Sequence, residues 1–230
     1  LSESHQIQVT HLESGVLLND GSASFRFFAL PRAAQISPGF GVVVTEINSD
    51  GNADIYLVHN FYTPQRETGR MDGGLSLALL GSGNGTFQPV SPAESGLIVP
   101  GDAKSLTVAD LNDDNRPDFV VGRNNDSVLA FVHGSNVSGK TIKVSLVDKS
   151  PNSTAIGATV TLHRSDGSVQ SAEITAGGGY LSQNSPELFF GLGESEEFDR
   201  VTVRWPDGST SDHTYSNTWN EGNCVIRKAE

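Results

Sequence analysis

An all-β fold is predicted for this 230-residue sequence, and three observations predict it. Short runs of β-branched and aromatic residues are bounded by Gly, Asn and Asp, the usual strand signal. Two motifs recur in the same order at nearly the same spacing, 62 residues from Leu17 to Leu79 and 64 from Glu46 to Asp110. No stretch carries the apolar period of an amphipathic helix. Repeats of this length indicate a propeller or solenoid whose units bury one face against a neighbour.

The segment Leu17 to Phe25, turning at Gly21, reads as an outer strand and the turn after it. Its copy runs from Leu79 to Phe87 and turns at Gly83. Between these copies, residues 41–45 form a strand that enters an acidic loop, and residues 55–58 form the strand that leaves it. Residues 105–109 and 119–121 frame a second acidic loop in the same way.

Each acidic loop sets oxygen-bearing side chains at alternate positions. The first places Glu46, Asn48, Asp50 and Asp54 at loop positions 1, 3, 5 and 9, and the second places Asp110, Asn112, Asp114 and Asp118 there. Asn52 and Arg116, at position 7, would contribute backbone carbonyls. Ca²⁺ takes six to eight hard oxygen ligands, and alternate residues of a tight loop can aim at one centre. Gly51 and Asn115, at position 6, are residue types that tolerate positive φ. Two structural calcium sites are therefore expected. A catalytic role is less suited to this pattern, because Ca²⁺ lowers the pKa of bound water poorly and a catalytic metal needs an open position.

After residue 139 the texture changes to cleanly alternating strands over 141–147, 158–162, 169–174 and 201–205. Asp166-Gly167 is suited to a type I′ hairpin turn, and Pro206-Asp207-Gly208 marks a second turn. A small sandwich or barrel follows from these signals.

Composition narrows the function. The formal net charge of −12 disfavours nucleic acid and anionic membrane surfaces. No apolar run is long enough to cross a membrane as a helix. Cys224 is the single cysteine and reads as a small buried hydrophobe. Met71 is the only methionine, and the chain is read as a processed product or a piece of something longer. The six histidines show no zinc-protease spacing, and no nucleophile-elbow motif appears. Glu194, Glu196 and Glu197 read as a solvated turn, and sequons stand at Asn84, Asn125, Asn136 and Asn152. No enzymatic activity is expected.

The acidic loops, their flanking strands and Gly85-Thr86-Phe87 resemble the FG-GAP/VCBS repeats of seven-bladed β-propellers, over roughly residues 10–135. The resemblance implies one Ca²⁺ per loop, clamping two strands of a blade. Glu46 departs from the family's usual Asp and is expected to weaken the first site; Asn115 departs more mildly from Gly. Asp114→Ala is accordingly expected to hurt more than Glu46→Ala. About two blades plus a trailing strand pair cannot close a ring. Either further blades lie upstream or other copies of the chain supply the cover.

Asn152, Ala155 to Ala158, Ala176 to Gln183, Ser185-Pro186, Phe190 to Gly193 and Val203 to Gly208 resemble the ASPIC/UnbV domain, over about residues 140–228. Phe189 and Ser153 stand where that family commonly has His and Arg. Gly177 to Gly179 are read as a bulge or close backbone approach, or alternatively with the residues to Gln183 as a ligand-binding rim. Tyr180 and Trp205 are read as core. The expected organisation is a partial β-propeller over 1–138 followed by an ASPIC/UnbV-like β domain over 139–230. The expected role is an extracellular, secreted or cell-surface adhesion or interaction module. Its partner would be a protein, a glycan or further copies of itself, with no nucleic acid and no membrane insertion. The alternatives are an accessory region of a secreted polysaccharide-degrading enzyme and a self-assembling surface-fibre subunit.

Overall fold

The computed structural model describes residues 7–134, 139–193, 198–214 and 222–229. His5, Asn136 and the Glu194, Glu196, Glu197 cluster lie outside the described residues. The architecture is all-β, with five sheets among the described residues.

The N-terminal part holds three sheets in chain order. The first is a hairpin of β1 (Gly15–Asn19) and β2 (Phe25–Ala29). The second is a four-stranded antiparallel meander of β3 (Gly39–Thr45), β4 (Asp54–His59), β5 (Leu77–Gly81) and β6 (Phe87–Val90). The third joins β7 (Ala103–Ala109), β8 (Asp118–Arg123) and β9 (Leu129–Phe131). The isolated strand pair therefore leads the series instead of trailing it. Its copy, β5 and β6, is the outer half of the four-stranded sheet, which explains the 62-residue repeat from Leu17 to Leu79. The acidic loops join the first two strands of the second and third sheets, β3 to β4 and β7 to β8.

Strand β4 is buried at every position, and its alternation explains why. Ile55 and Leu57 face one way, into a core with Leu30, Ala34, Leu77 and Leu79. Tyr56 and Val58 face the other way, into a core with Leu106, Val108, Phe119 and Val121 from the third sheet. A strand apolar on both faces belongs between two packed layers. Among the described residues, helix is limited to a 3-10 turn at Arg32–Gln35 and one α-turn at Pro92–Ser95, capped by Ser91 and ended by Gly96 in the left-handed region.

The C-terminal part is a sandwich, not a barrel. One sheet has the order β13-β10-β16, from β10 (Lys140–Val147), β13 (Glu187–Gly193) and β16 (Asn223–Arg227), with β10 and β16 parallel. The other has the order β12-β11-β14-β15, from β11 (Thr159–Arg164), β12 (Val169–Glu173), β14 (Phe198–Arg204) and β15 (Thr210–Thr214). Ile142, Val160, Phe190, Val203, Trp205 and Cys224 meet in the core between them. Burial pushes the Cys224 thiol up to about 12, which suits an inert packing residue.

Two local expectations are corrected. The turn at Asp166-Gly167 is not type I′, because only Gly167 has a positive φ and neither Ser165 nor Asp166 does. Gly167 N donates to Arg164 O and Arg164 N to Ser168 O, so a type I turn is followed by a left-handed glycine. Asp166 Oδ1 accepts both the amide and the hydroxyl of Ser168, which favours this form. Tyr180 is 44% exposed and outside the core; its ring meets Phe40 edge-on at 5.2 Å.

Candidate functional site

The two acidic loops share one pattern of side-chain-to-amide hydrogen bonds. At position 1, Glu46 Oε1 and Oε2 accept from the amides of Asp50 and Gly51, at 3.2 and 2.9 Å. Asp110 Oδ1 and Oδ2 accept from Asp114 and Asn115, at 3.1 and 2.9 Å. At position 9, Asp54 Oδ2 accepts from Ile47 N at 2.8 Å and its Oδ1 from Gly81 N at 2.8 Å. Asp118 does the same with Leu111 N and His133 N, both at 2.7 Å. Between them, Asn48 bonds Asp50 and Asn112 bonds Asp114, each at 3.0 Å, and the amides of Asn52 and Arg116 bond the Asp at position 5. All ten residues named from sequence are thus gathered in two like loops. Arg116 also sends its guanidinium to Gly139 O at 3.1 Å.

Charge separates the loops. Glu46 is 3% exposed and Asp54 fully buried, and among the described residues no lysine or arginine ion-pairs with either. Burial, together with the charges of Asp54 and Asp50, pushes Glu46 up to about 8. Burial also raises Asp54 to about 6. In the second loop, Lys143 Nζ stands 2.7 Å from Asp110 Oδ2. Burial there works against ionisation, but the Lys143 ammonium holds the Asp110 carboxyl below the usual carboxylate range. Arg164 reaches the first loop at Gly51 but bonds Leu192 O; the loop's all-oxygen donor set, with two buried acids outside any ion pair among the described residues, fits Ca²⁺. The second loop carries the same donors with an ammonium on its first carboxylate.

Neither loop is a free surface feature, because the sandwich docks on both. Gly193 N donates to Ser49 O at 2.7 Å, and the Ser49 and Thr141 hydroxyls lie 2.8 Å apart. Ser185 N donates to Val108 O at 3.0 Å and Thr107 Oγ1 to Gln183 O at 2.6 Å, so the segment read as a possible rim is a docking strap. Phe189 is 7% exposed and completes the core around Tyr56 and Leu106. The Glu46 side chain, one methylene longer than Asp, is accommodated at Gly191, where a Cβ would come within 2.3 Å of Oε2. A cleft of about 910 Å³ with a mixed lining runs beside the interface, bordered by Glu46, Arg164, Gln170 and Glu187 as well as by Val44 and Leu188.

Sequence reasoning missed Lys143, Gly191, Thr141 and Asn184, all of them interface residues. Lys143 alternates with the core residues Ile142 and Val144, and such a position reads as solvated unless its facing layer is known. Residues 148–227 match the family model described as ASPIC and UnbV, so the C-terminal sandwich carries that domain. No curated protein matches the chain.

Proposed function

We propose that this chain is a calcium-stabilised, non-enzymatic β module of the cell exterior. In this reading, FG-GAP/VCBS-type blades carry a docked ASPIC/UnbV domain and offer a surface to a protein or glycan partner. The observation that carries it is the first acidic loop, where Glu46 and Asp54 are buried together and, among the described residues, neither forms an ion pair with a lysine or arginine. Buried charge of one sign destabilises a fold unless a cation offsets it. The three sheets packed in chain order, with their 62- and 64-residue sequence repeats (Leu17 to Leu79, Glu46 to Asp110), support the blade reading. Because the loop lies under the docked sandwich, its ion acts as a fastener between strands and domains.

Thermal unfolding with and without chelator tests this. Calcium that binds only the folded state stabilises by about 2.7 kcal/mol at a hundredfold excess over Kd. The effect is pH-dependent. Glu46 and Asp54 have folded pKa values above their ordinary ones, so without calcium their contribution is full below about pH 4 and is lost as pH rises through about 6 and 8. Chelation is therefore expected to lower Tm more at pH 8 than at pH 5. An unchanged melt at pH 8 removes the calcium reading.

One observation favours the self-assembly reading: β3 is an edge strand with Val42 and Val44 exposed at 45% and 65%. Light scattering tests it, and a monomer at high concentration rules it out.

A further inference from the structure

The two loops share a hydrogen-bond pattern but differ at the position-1 carboxylate: Lys143 ion-pairs with Asp110, whereas Arg164, which reaches the first loop at Gly51, donates to Leu192 O and makes no ion pair with Glu46. Lys143 lies on β10 between Ile142 and Val144, both locked in the sandwich core. Its side chain is 7% exposed and that of Asp110 is 0% exposed. Nζ bonds Asp110 Oδ2 at 2.7 Å and stands 3.8 Å from Glu187 Oε1. Asp110 Oδ2 also accepts from Asn115 N at 2.9 Å, so both of its lone pairs are in use. In the first loop, among the described residues, each Glu46 oxygen accepts a single amide and keeps one lone pair free, as Asp110 Oδ1 does but Asp110 Oδ2 does not.

We infer that Lys143 is a tethered cation standing in for a second metal ion, so that the chain takes one Ca²⁺, at residues 46–54. This rests on the calcium reading of the first loop. A divalent ion beside Asp110 would share one buried carboxylate with the ammonium, where low dielectric makes their repulsion strong and salt cannot screen it. Leaving the site would require Lys143 to withdraw from a packed strand. The tether also favours lysine over a free ion, because docking of the sandwich already orders the side chain. The domain interface thus has one half that answers to calcium and one that does not. Glu46, expected from sequence to mark the weaker site, marks the sole site.

Calcium titration of the chelator-stripped full chain by calorimetry, with elemental analysis of the loaded protein, tests the proposal. One ion per chain is expected. Asp50→Asn is expected to weaken binding at least tenfold, while Asp114→Asn leaves Kd within twofold. Lys143→Gln is expected to raise the stoichiometry to two. Two ions on the wild type, or equal losses from Asp50→Asn and Asp114→Asn, overturn the proposal and leave calcium binding intact. No ion on the wild type removes the calcium reading and this proposal with it. Should Lys143→Gln fail to fold, the wild-type stoichiometry and the Asp50 and Asp114 pair decide alone.

Discussion

Gly191 is where the docked sandwich meets the buried acid of the first loop, and replacing it is the sharpest test of that contact. It lies on β13 opposite Thr141, and a Cβ there would stand 2.3 Å from Glu46 Oε2, 2.5 Å from Glu46 Cδ and 2.7 Å from Gly51 N. The residue cannot slide aside easily, because its carbonyl accepts from Gln170 Nε2 at 2.6 Å and its strand is hydrogen-bonded to β10. Gly191→Ala must therefore push Glu46 off the amides of Asp50 and Gly51. Overpacking costs about 1–3 kcal/mol and stranding buried polar groups about 1–3 more, so a loss of about 2–6 kcal/mol is expected. Glu46→Asp retracts the carboxylate by one methylene and is expected to recover about 1–2 kcal/mol in the double variant. Urea unfolding of the four proteins, followed by circular dichroism in chelator, measures the cycle without metal binding. A Gly191→Ala midpoint equal to wild type, or a strictly additive double variant, would refute the contact.

Phe189 fills the core around Tyr56 and Leu106 from the opposite domain, so Phe189→Ala is expected to cost about 3–5 kcal/mol and to split unfolding into two transitions; a single transition near the wild-type midpoint would oppose this. His59 is 1% exposed with both ring nitrogens unpartnered among the described residues, and burial depresses it to about 4. The unfolded chain binds that proton more readily, so stability present above about pH 6.5 is lost as pH falls towards 4, by roughly 3 kcal/mol in total. The His59→Leu protein is expected to show a flatter stability profile over that range, and parallel profiles would count against burial of the neutral ring.

The strands were legible because their cause is local. The valines of 42–44 and the alternation of 141–147 announce pleated segments, and β4 betrays its place between layers by its unbroken apolar run from Ile55 to Val58. The repetition of the loop was equally legible, since the spacing of Glu46 to Asp54 and of Asp110 to Asp118 closes matching hydrogen bonds in both copies. The Asp166 turn was misread because Asp-Gly serves more than one turn type, and the serine that follows selects between them. Tyr180 was misread as core because a tyrosine beside glycines gives no sign of which domain its ring will meet.

By itself, then, the sequence determined an all-β chain with a repeated acidic loop and a small C-terminal β domain of ASPIC/UnbV type. Those features rest on periods of two and on side chains bonding amides a few residues away. Only the tertiary structure decided that the sandwich sits on the loops, that Gly191 makes room for Glu46, and that Lys143 meets Asp110 across a separation of 33 residues. Such pairings depend on how whole sheets stack. Opposite charges far apart in a chain carry no mark of meeting until burial removes the water between them, and burial here leaves Asp110 paired with Lys143 and Glu46 outside any ion pair among the described residues.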